Sequence, residues 1–175
     1  MFESNDTFVE DSVKVLETPQ ERAKKSGAAI CTVLLMLATI SMTGVIKLIL
    51  SVLLIVFGIL TIILFMNKNI EYEYDYTNGS LEVAKIIDNS KRKKVVSIES
   101  AEIKLVAAIG TNESLRFDHV NLKTYDCSAH NDELKDYILV AHNEAKGYDF
   151  KVLFTPSDKL LTAMERYNKR DIYRG

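Results

Sequence analysis

The chain has little of what most enzymes and nucleic-acid-binding proteins display. Its cysteines are two, Cys31 and Cys127, and Cys31 lies inside a long apolar stretch. No intrachain disulfide is expected, so a reducing compartment is permitted. Charge of one sign is also missing: 22 Lys and Arg stand against 24 Asp and Glu, where binding to phosphate backbones needs a clear cationic excess on one face. Nucleic acid is therefore excluded as a partner. The three histidines, His119, His130 and His142, have no partner at HExxH or CxxC spacing. His130 and His142 are placed where they could face one another on neighbouring strands, but they read as ordinary strand or loop residues. GxxxxGK[ST], GxGxxG and GxSxG are absent, so nucleotide-binding and hydrolase readings lack their minimal parts. No catalytic, cofactor-binding or metal-binding residue is assigned, no cofactor is expected, and the chain is read as a non-enzyme.

What is present is a block of forty residues, Gly27 to Met66, with Lys47 as its one charge. A single helix needs roughly 20 residues to cross a hydrocarbon core. The block is twice that length, and its polar break at Ser41 to Lys47 divides it into spans at about 27–43 and 48–66. A signal peptide would have an apolar region of about 7 to 15 residues after a basic start, and this block is far longer and begins too late. A hairpin buried in a soluble core would leave no polar face for water. Arg22, Lys24 and Lys25 precede the first span, and Lys68 and then Lys91 to Lys94 follow the second. The positive-inside bias thus puts both termini in the cytoplasm of a cell-membrane protein, with lipid bilayer as the first partner. Small residues in span one and Gly58 in span two are compatible with a homo-oligomer but form no clean GxxxG pair.

Residues 1–26 form an N-terminal arm. Thr7-Phe8-Val9-Glu10 fits a helical capping box, with Phe8, Val9, Val13 and Leu16 near one helical face, which predicts a short amphipathic helix. Thr18-Pro19-Gln20-Glu21 marks a second helix start, leading into span one.

Residues 69–175 read as one soluble domain carrying 16 Lys and Arg against 18 Asp and Glu. Tyr72, Tyr74 and Tyr76 alternate with Glu71, Glu73 and Asp75, predicting a half-buried strand with the tyrosines in the core. Asn78-Gly79 is a strong type I′ hairpin signal, and Leu81 and Val83 resume the alternation on the returning strand. Asn89 to Lys94 reads as a polar turn before Val95 to Ile98. Further strands are expected at 103–109, 123–129, 136–142 and 148–154, with 110–121 as an exposed loop. Thr155-Pro156-Ser157-Asp158 predicts a final helix with Pro156 at its first position. The fold class is α+β: a two-helix transmembrane hairpin followed by an antiparallel β-barrel or sandwich of about seven strands closed by a C-terminal helix.

The chain resembles a group of uncharacterised bacterial two-span membrane proteins with a cytoplasmic pleckstrin-homology-like domain. The likeness rests on Asp6 to Glu10, Tyr74 to Val83, Lys85-Ile86, Lys91 to Lys94, Tyr137 to Val140 and Phe154-Thr155-Pro156. It implies a fold and a topology and brings no known activity. Lys91, Arg92, Lys93 and Lys94 are the candidate contacts to a lipid surface. The tip residues Tyr76 to Glu82 lack the basic side chains with which phosphoinositide-binding members of the fold grip a headgroup. The expected function is a membrane-anchored cytoplasmic interaction or scaffold module with an unidentified protein partner. The alternative is an oligomeric channel or transporter subunit with span two lining a pore.

Overall fold

The computed structural model describes residues 7–66 and 69–175. Asp6 and Lys68, which the sequence reading used, lie outside the described residues. The chain divides into two compact units, residues 17–68 and a second made of residues 1–16 with 69–175.

The first unit is a pair of helices, α1 (Pro19–Ser41) and α2 (Gly44–Phe65). Helix α1 starts where the sequence says it should. The Thr18 hydroxyl accepts from the Glu21 amide while the Glu21 carboxylate accepts from the Thr18 amide, with Pro19 in the first turn. Gly44 takes a φ of +68° at the reversal, a conformation glycine adopts without strain. At about 1.5 Å per residue each helix is long enough to cross the roughly 30 Å of a hydrocarbon core. Not one side chain of α2 is buried, although the helix is almost wholly apolar. Polar groups on the pair satisfy one another or the backbone: Thr32 and Thr61 hydroxyls meet at 2.8 Å, and Thr39 and Ser51 donate to the carbonyls of Leu35 and Lys47. Past the polar first two turns of α1, that leaves an exterior with Lys47 as its one charge, suited to lipid.

The second unit is a two-sheet sandwich. One sheet has the order β1-β2-β3-β4, formed by Phe8–Lys14, Ile70–Thr77, Ser80–Ile87 and Lys91–Glu99. The other has the order β6-β8-β7-β5-β9, formed by Lys123–Cys127, Tyr148–Phe154, Tyr137–Asn143, Ile103–Ala108 and Ile172–Tyr173. A one-turn helix α3 (Asn112–Leu115) and the closing helix α4 (Asp158–Asn168) complete it. The predicted Tyr72–Gly79 hairpin is present, with Asn78 and Gly79 at φ of +48° and +92°. A side chain at Gly79 would also be crowded, since a Cβ there would sit 3.0 Å from both Ser100 Oγ and Tyr167 Cδ1.

Between the sheets Tyr74, Tyr76, Leu81, Ile98, Leu139 and Phe154 are fully buried, under Leu160, Leu161 and Met164 of α4. Tyr74 ties the layers together: its hydroxyl donates to the Cys127 carbonyl at 2.6 Å and accepts from the Thr155 amide at 3.2 Å. Its ring meets Phe154 edge-on at 5.8 Å. Burial raises its phenol pKa, and likewise lifts Tyr72 and Tyr76 to about 12.

Several expectations are corrected. The arm carries a strand, Phe8–Lys14, not a helix. Strand β1 pairs antiparallel with β2 along its whole length, from Phe8 opposite Thr77 to Lys14 opposite Glu71. Seven ladder positions and the burial of Val9 in the core outweigh one capping box. Among the described residues the strands number nine rather than about seven, the two sheets do not close into a barrel, and the β6–β8 and β5–β9 pairs are parallel. The stretch 110–121 is not simply exposed: Phe117, with neighbouring Leu122, covers a second small core of Leu105, Ala107, Ile138 and Val140 on the outer side of the five-stranded sheet. Helix α4 is capped by Ser157, whose hydroxyl accepts from the Leu160 amide, so Pro156 precedes the cap instead of opening the helix.

Candidate functional site

The alternation of β1, β2 and β3 sends Glu10, Glu71, Glu73, Asp75 and Glu82 to the outer face of the four-stranded sheet. Arg92 on β4 gathers three of them. Its Nε lies 2.7 Å from Glu73, Nη2 2.6 Å from Asp75 and Nη1 2.9 Å from Glu82. Lys94 reaches the second Glu82 oxygen at 2.7 Å. The Glu10, Glu73 and Asp75 carboxylates lie within 4.8 Å of one another, so the guanidinium offsets a like-charge cluster. Hydrogen bonds from Lys94 and Arg92 hold the Glu82 pKa below the usual carboxylate value. Asp75 is raised despite its own bond to Arg92, because burial and the neighbouring Glu73 charge outweigh it.

A lowered carboxylate contributes stability above its unfolded pKa, and that stability is lost as pH falls through the folded value. Arg92→Ala is therefore expected to destabilise the folded domain by about 1 kcal/mol at neutral pH. The gap between variant and wild type should close below roughly pH 4, as the carboxylates protonate. Urea titrations of the detergent-solubilised protein at several pH values check it, and a gap independent of pH would refute it.

The basic run does not form a turn. Lys91 to Lys94 are strand residues at the start of β4, paired with Ile87 to Ala84. Ladder partners on β3 extend the strand, and an edge strand tolerates lysine well. Alternation then splits the run: Arg92 and Lys94 join the outer acidic face, while Lys91 and Lys93 turn to the other side. There Lys93 stands opposite Lys85, which stands opposite Tyr72, and the Lys85 ammonium lies 5.9 Å from the Tyr72 ring centroid. Lys91 stands opposite Ile87, itself opposite Ile70.

The Tyr72 hydroxyl carries this row across to the second sheet by donating to the Asp126 carbonyl at 3.0 Å. On β6, Lys123 lies 4.8 Å above the Tyr125 ring. Hydrogen bonding to Tyr125, and more weakly to Tyr148, raises the Lys123 pKa. Tyr125 meets Phe150 edge-on at 5.8 Å. Ile70, Val95, Tyr125 and Tyr148 are half-buried against the core. The result is a rim of Lys85, Lys91, Lys93 and Lys123 set among Tyr72, Tyr125 and Tyr148. It lies at the end of β2 opposite the Asn78–Gly79 turn, where Tyr167 of α4 packs. Among the described residues, none of these four lysines is within ion-pair distance of a carboxylate. Nearby Asp126 is engaged by Ser128 and His130, and Asp88 accepts from the Asn69 amide.

The sequence profile of the bacterial PH-like domain family (DUF6106) matches residues 5–174, so the match takes in β1, both long helices and the sandwich together. The chain belongs to this family. No curated protein and no solved structure matches it.

Elsewhere the PH-like domain offers less for chemistry. His142 and His130 do not face one another. His142 sits 2.6 Å from Asp149, which also binds Lys104 and is thereby held below the usual carboxylate range, whereas His130 lies 3.5 Å from Asp126. Cys127 is buried and its thiol pKa is pushed up to about 12, which makes it a poor nucleophile. A shallow groove of about 440 Å³ between β1 and α4 is lined by Phe8, Asp158, Lys159 and Arg166, with charges of both signs. Of the rim, sequence reading singled out Lys91 and Lys93 for a lipid surface and missed Lys85 and Lys123. A Lys-x-Lys alternation on a strand was the available signal for the first pair. Lys123 is brought in by long-range pairing and has no local signal.

Proposed function

We propose that this protein is a membrane-anchored interaction module. In this reading α1 and α2 cross the bilayer as a hairpin, and the PH-like domain is the cytoplasmic part that meets partners, with a binding rather than a catalytic role. The observation that carries it is the β1–β2 ladder. One strand precedes the helical pair and the other follows it, yet they are hydrogen-bonded neighbours in one sheet. Both arms of the hairpin must then share one aqueous compartment, and Arg22, Lys24 and Lys25 in the first turns of α1 argue that it is the cytoplasm. A spanning hairpin also accounts for the uncovered apolar surface of α2. The pore alternative has little to build on, since the threonines of the pair bond to each other or to their own backbone.

Labelling with a membrane-impermeant maleimide tests the reading. In the full chain, Thr43→Cys is expected to react in intact cells, whereas Glu10→Cys and Glu144→Cys are expected to react only after lysis. Residues 10 and 144 reporting opposite sides would overturn it, as would residue 43 sharing their side.

A further inference from the structure

The lysine and tyrosine rim has two properties that a merely solvated cluster need not have. Its four ammonium groups lie outside the ion-pair network that absorbs Arg92 and Lys94, and it shares a ladder row with Ile70, where the chain enters β2 after the helices. Ile70, the first residue of β2, is on the rim and is only four residues beyond Met66. At no more than about 3.6 Å per residue, that tether cannot exceed roughly 14 Å. The other end of β1, Lys14, is five residues before Pro19 and bonds to Glu71 across the ladder. Sheet register thus places Lys91 and Lys93 at the same level as both tethers, whereas Asp75, Glu82 and Glu99 lie further along the strands.

From this we infer that the rim of Lys85, Lys91, Lys93 and Lys123 is a docking surface for the anionic headgroups of the bilayer in which α1 and α2 are held. The inference rests on the anchor reading above. Lysine ammoniums supply the attraction. Tyr125 and Tyr148, both half-buried, supply the amphipathic rings that settle at a membrane–water boundary. The outer face, where Glu10, Glu71, Glu73, Asp75 and Glu82 outnumber Lys14, Arg92 and Lys94, would be repelled by the same headgroups and so gives the domain a preferred orientation. No headgroup-shaped pocket is required, so the surface should respond to anionic charge in general and not to one lipid. This reassigns the basic run: Lys91 and Lys93 belong to the contact, and Arg92 and Lys94 belong to the acidic face.

The chain contains no tryptophan, so one introduced residue reports alone. Tyr148→Trp is placed in the full-length protein and reconstituted into nanodiscs of neutral phosphatidylcholine, or of phosphatidylcholine with phosphatidylglycerol, both carrying a headgroup nitroxide quencher. Tyr167→Trp, at the far end of β2, serves as the reference. The expected result is quenching at position 148 that rises in the anionic disc and is reversed by high salt, with little change at position 167. Each lysine near the surface is worth roughly fivefold in the apposed-to-free ratio. Lys91→Gln with Lys93→Gln should lower that ratio by on the order of 25-fold, while Lys94→Gln should leave it unchanged. Equal quenching at position 148 in neutral and anionic discs overturns the inference. So does an equal response to Lys94→Gln, or anionic-disc quenching displaced by an added acidic peptide in preference to salt, which would assign the rim to a protein. If the maleimide pattern holds while quenching fails, only the docking surface is lost. If the maleimide pattern fails, the anchor reading falls first.

Discussion

Tyr74→Ala is expected to lower the stability of the PH-like domain by about 3–5 kcal/mol, among the larger effects a single core truncation produces. The ring is fully buried, meets Phe154 at 5.8 Å and lies between the two sheets. Removing it leaves a void that neighbouring backbone ladders cannot easily close. Two polar groups lose their partner as well: the Cys127 carbonyl, which accepts from the hydroxyl, and the Thr155 amide, which donates to it. Tyr74→Phe isolates that second part and should cost about 1–3 kcal/mol. Thermal unfolding in detergent, followed by near-ultraviolet dichroism, should show the melting temperature of the alanine variant falling by roughly 10–20 °C. A fall within a few degrees for both variants would mean that Tyr74 does not bridge the sheets.

The second large effect is expected at β1, where two adjacent residues should behave in opposite ways. Val9 is 6 % exposed and faces the core opposite Tyr76, whereas Phe8, one residue earlier, is 62 % exposed on the other face. Val9→Asp would bury an unpaired charge and is expected to cost about 3 kcal/mol or more. Phe8→Asp should stay within about 0.5 kcal/mol of wild type. An amphipathic helix would put both residues on one apolar face and penalise both. Urea unfolding of the two variants separates the arrangements, because only a strand gives the one-residue alternation. Limited proteolysis adds a local readout: residues 7–16 should become cleavable in Val9→Asp and remain protected in Phe8→Asp.

That contrast also shows what the amino-acid pattern could and could not reveal. The hairpin around Asn78-Gly79 was legible because alternation, turn chemistry and backbone preference all agreed within twenty residues. The two long helices were legible from composition, and α4 from its apolar spacing at Leu160, Leu161 and Met164. Strand β1 was not, since seven residues are too few to distinguish periods of 2 and 3.6, and its partner lies beyond both helices. Lys91 to Lys94 misled in another way. Four cations in a row look like a solvated turn, and only the ladder to Ala84–Ile87 makes them a strand whose alternate side chains part company. The rim needed Lys123, which meets Tyr125 on its own strand but is brought to the neighbourhood of Tyr72 by a parallel pairing of β6 with β8 that no local rule anticipates.

The β1–β2 ladder also sets an order of assembly. Strand β1 leaves the ribosome first, but the strand it must pair with is separated from it by the whole of α1 and α2. Closing a loop of that length in solution would carry the full entropic penalty of bringing its ends together. In the anchor reading proposed above, insertion of the two helices as a hairpin would do that work, because it would return the chain to the side it left and deliver β2 beside the waiting β1. On that reading, completion of the sandwich would be a checkpoint on membrane insertion. A chain whose second helix failed to return would be left with an unpaired β2 edge and an open core, the kind of surface that quality-control proteases recognise.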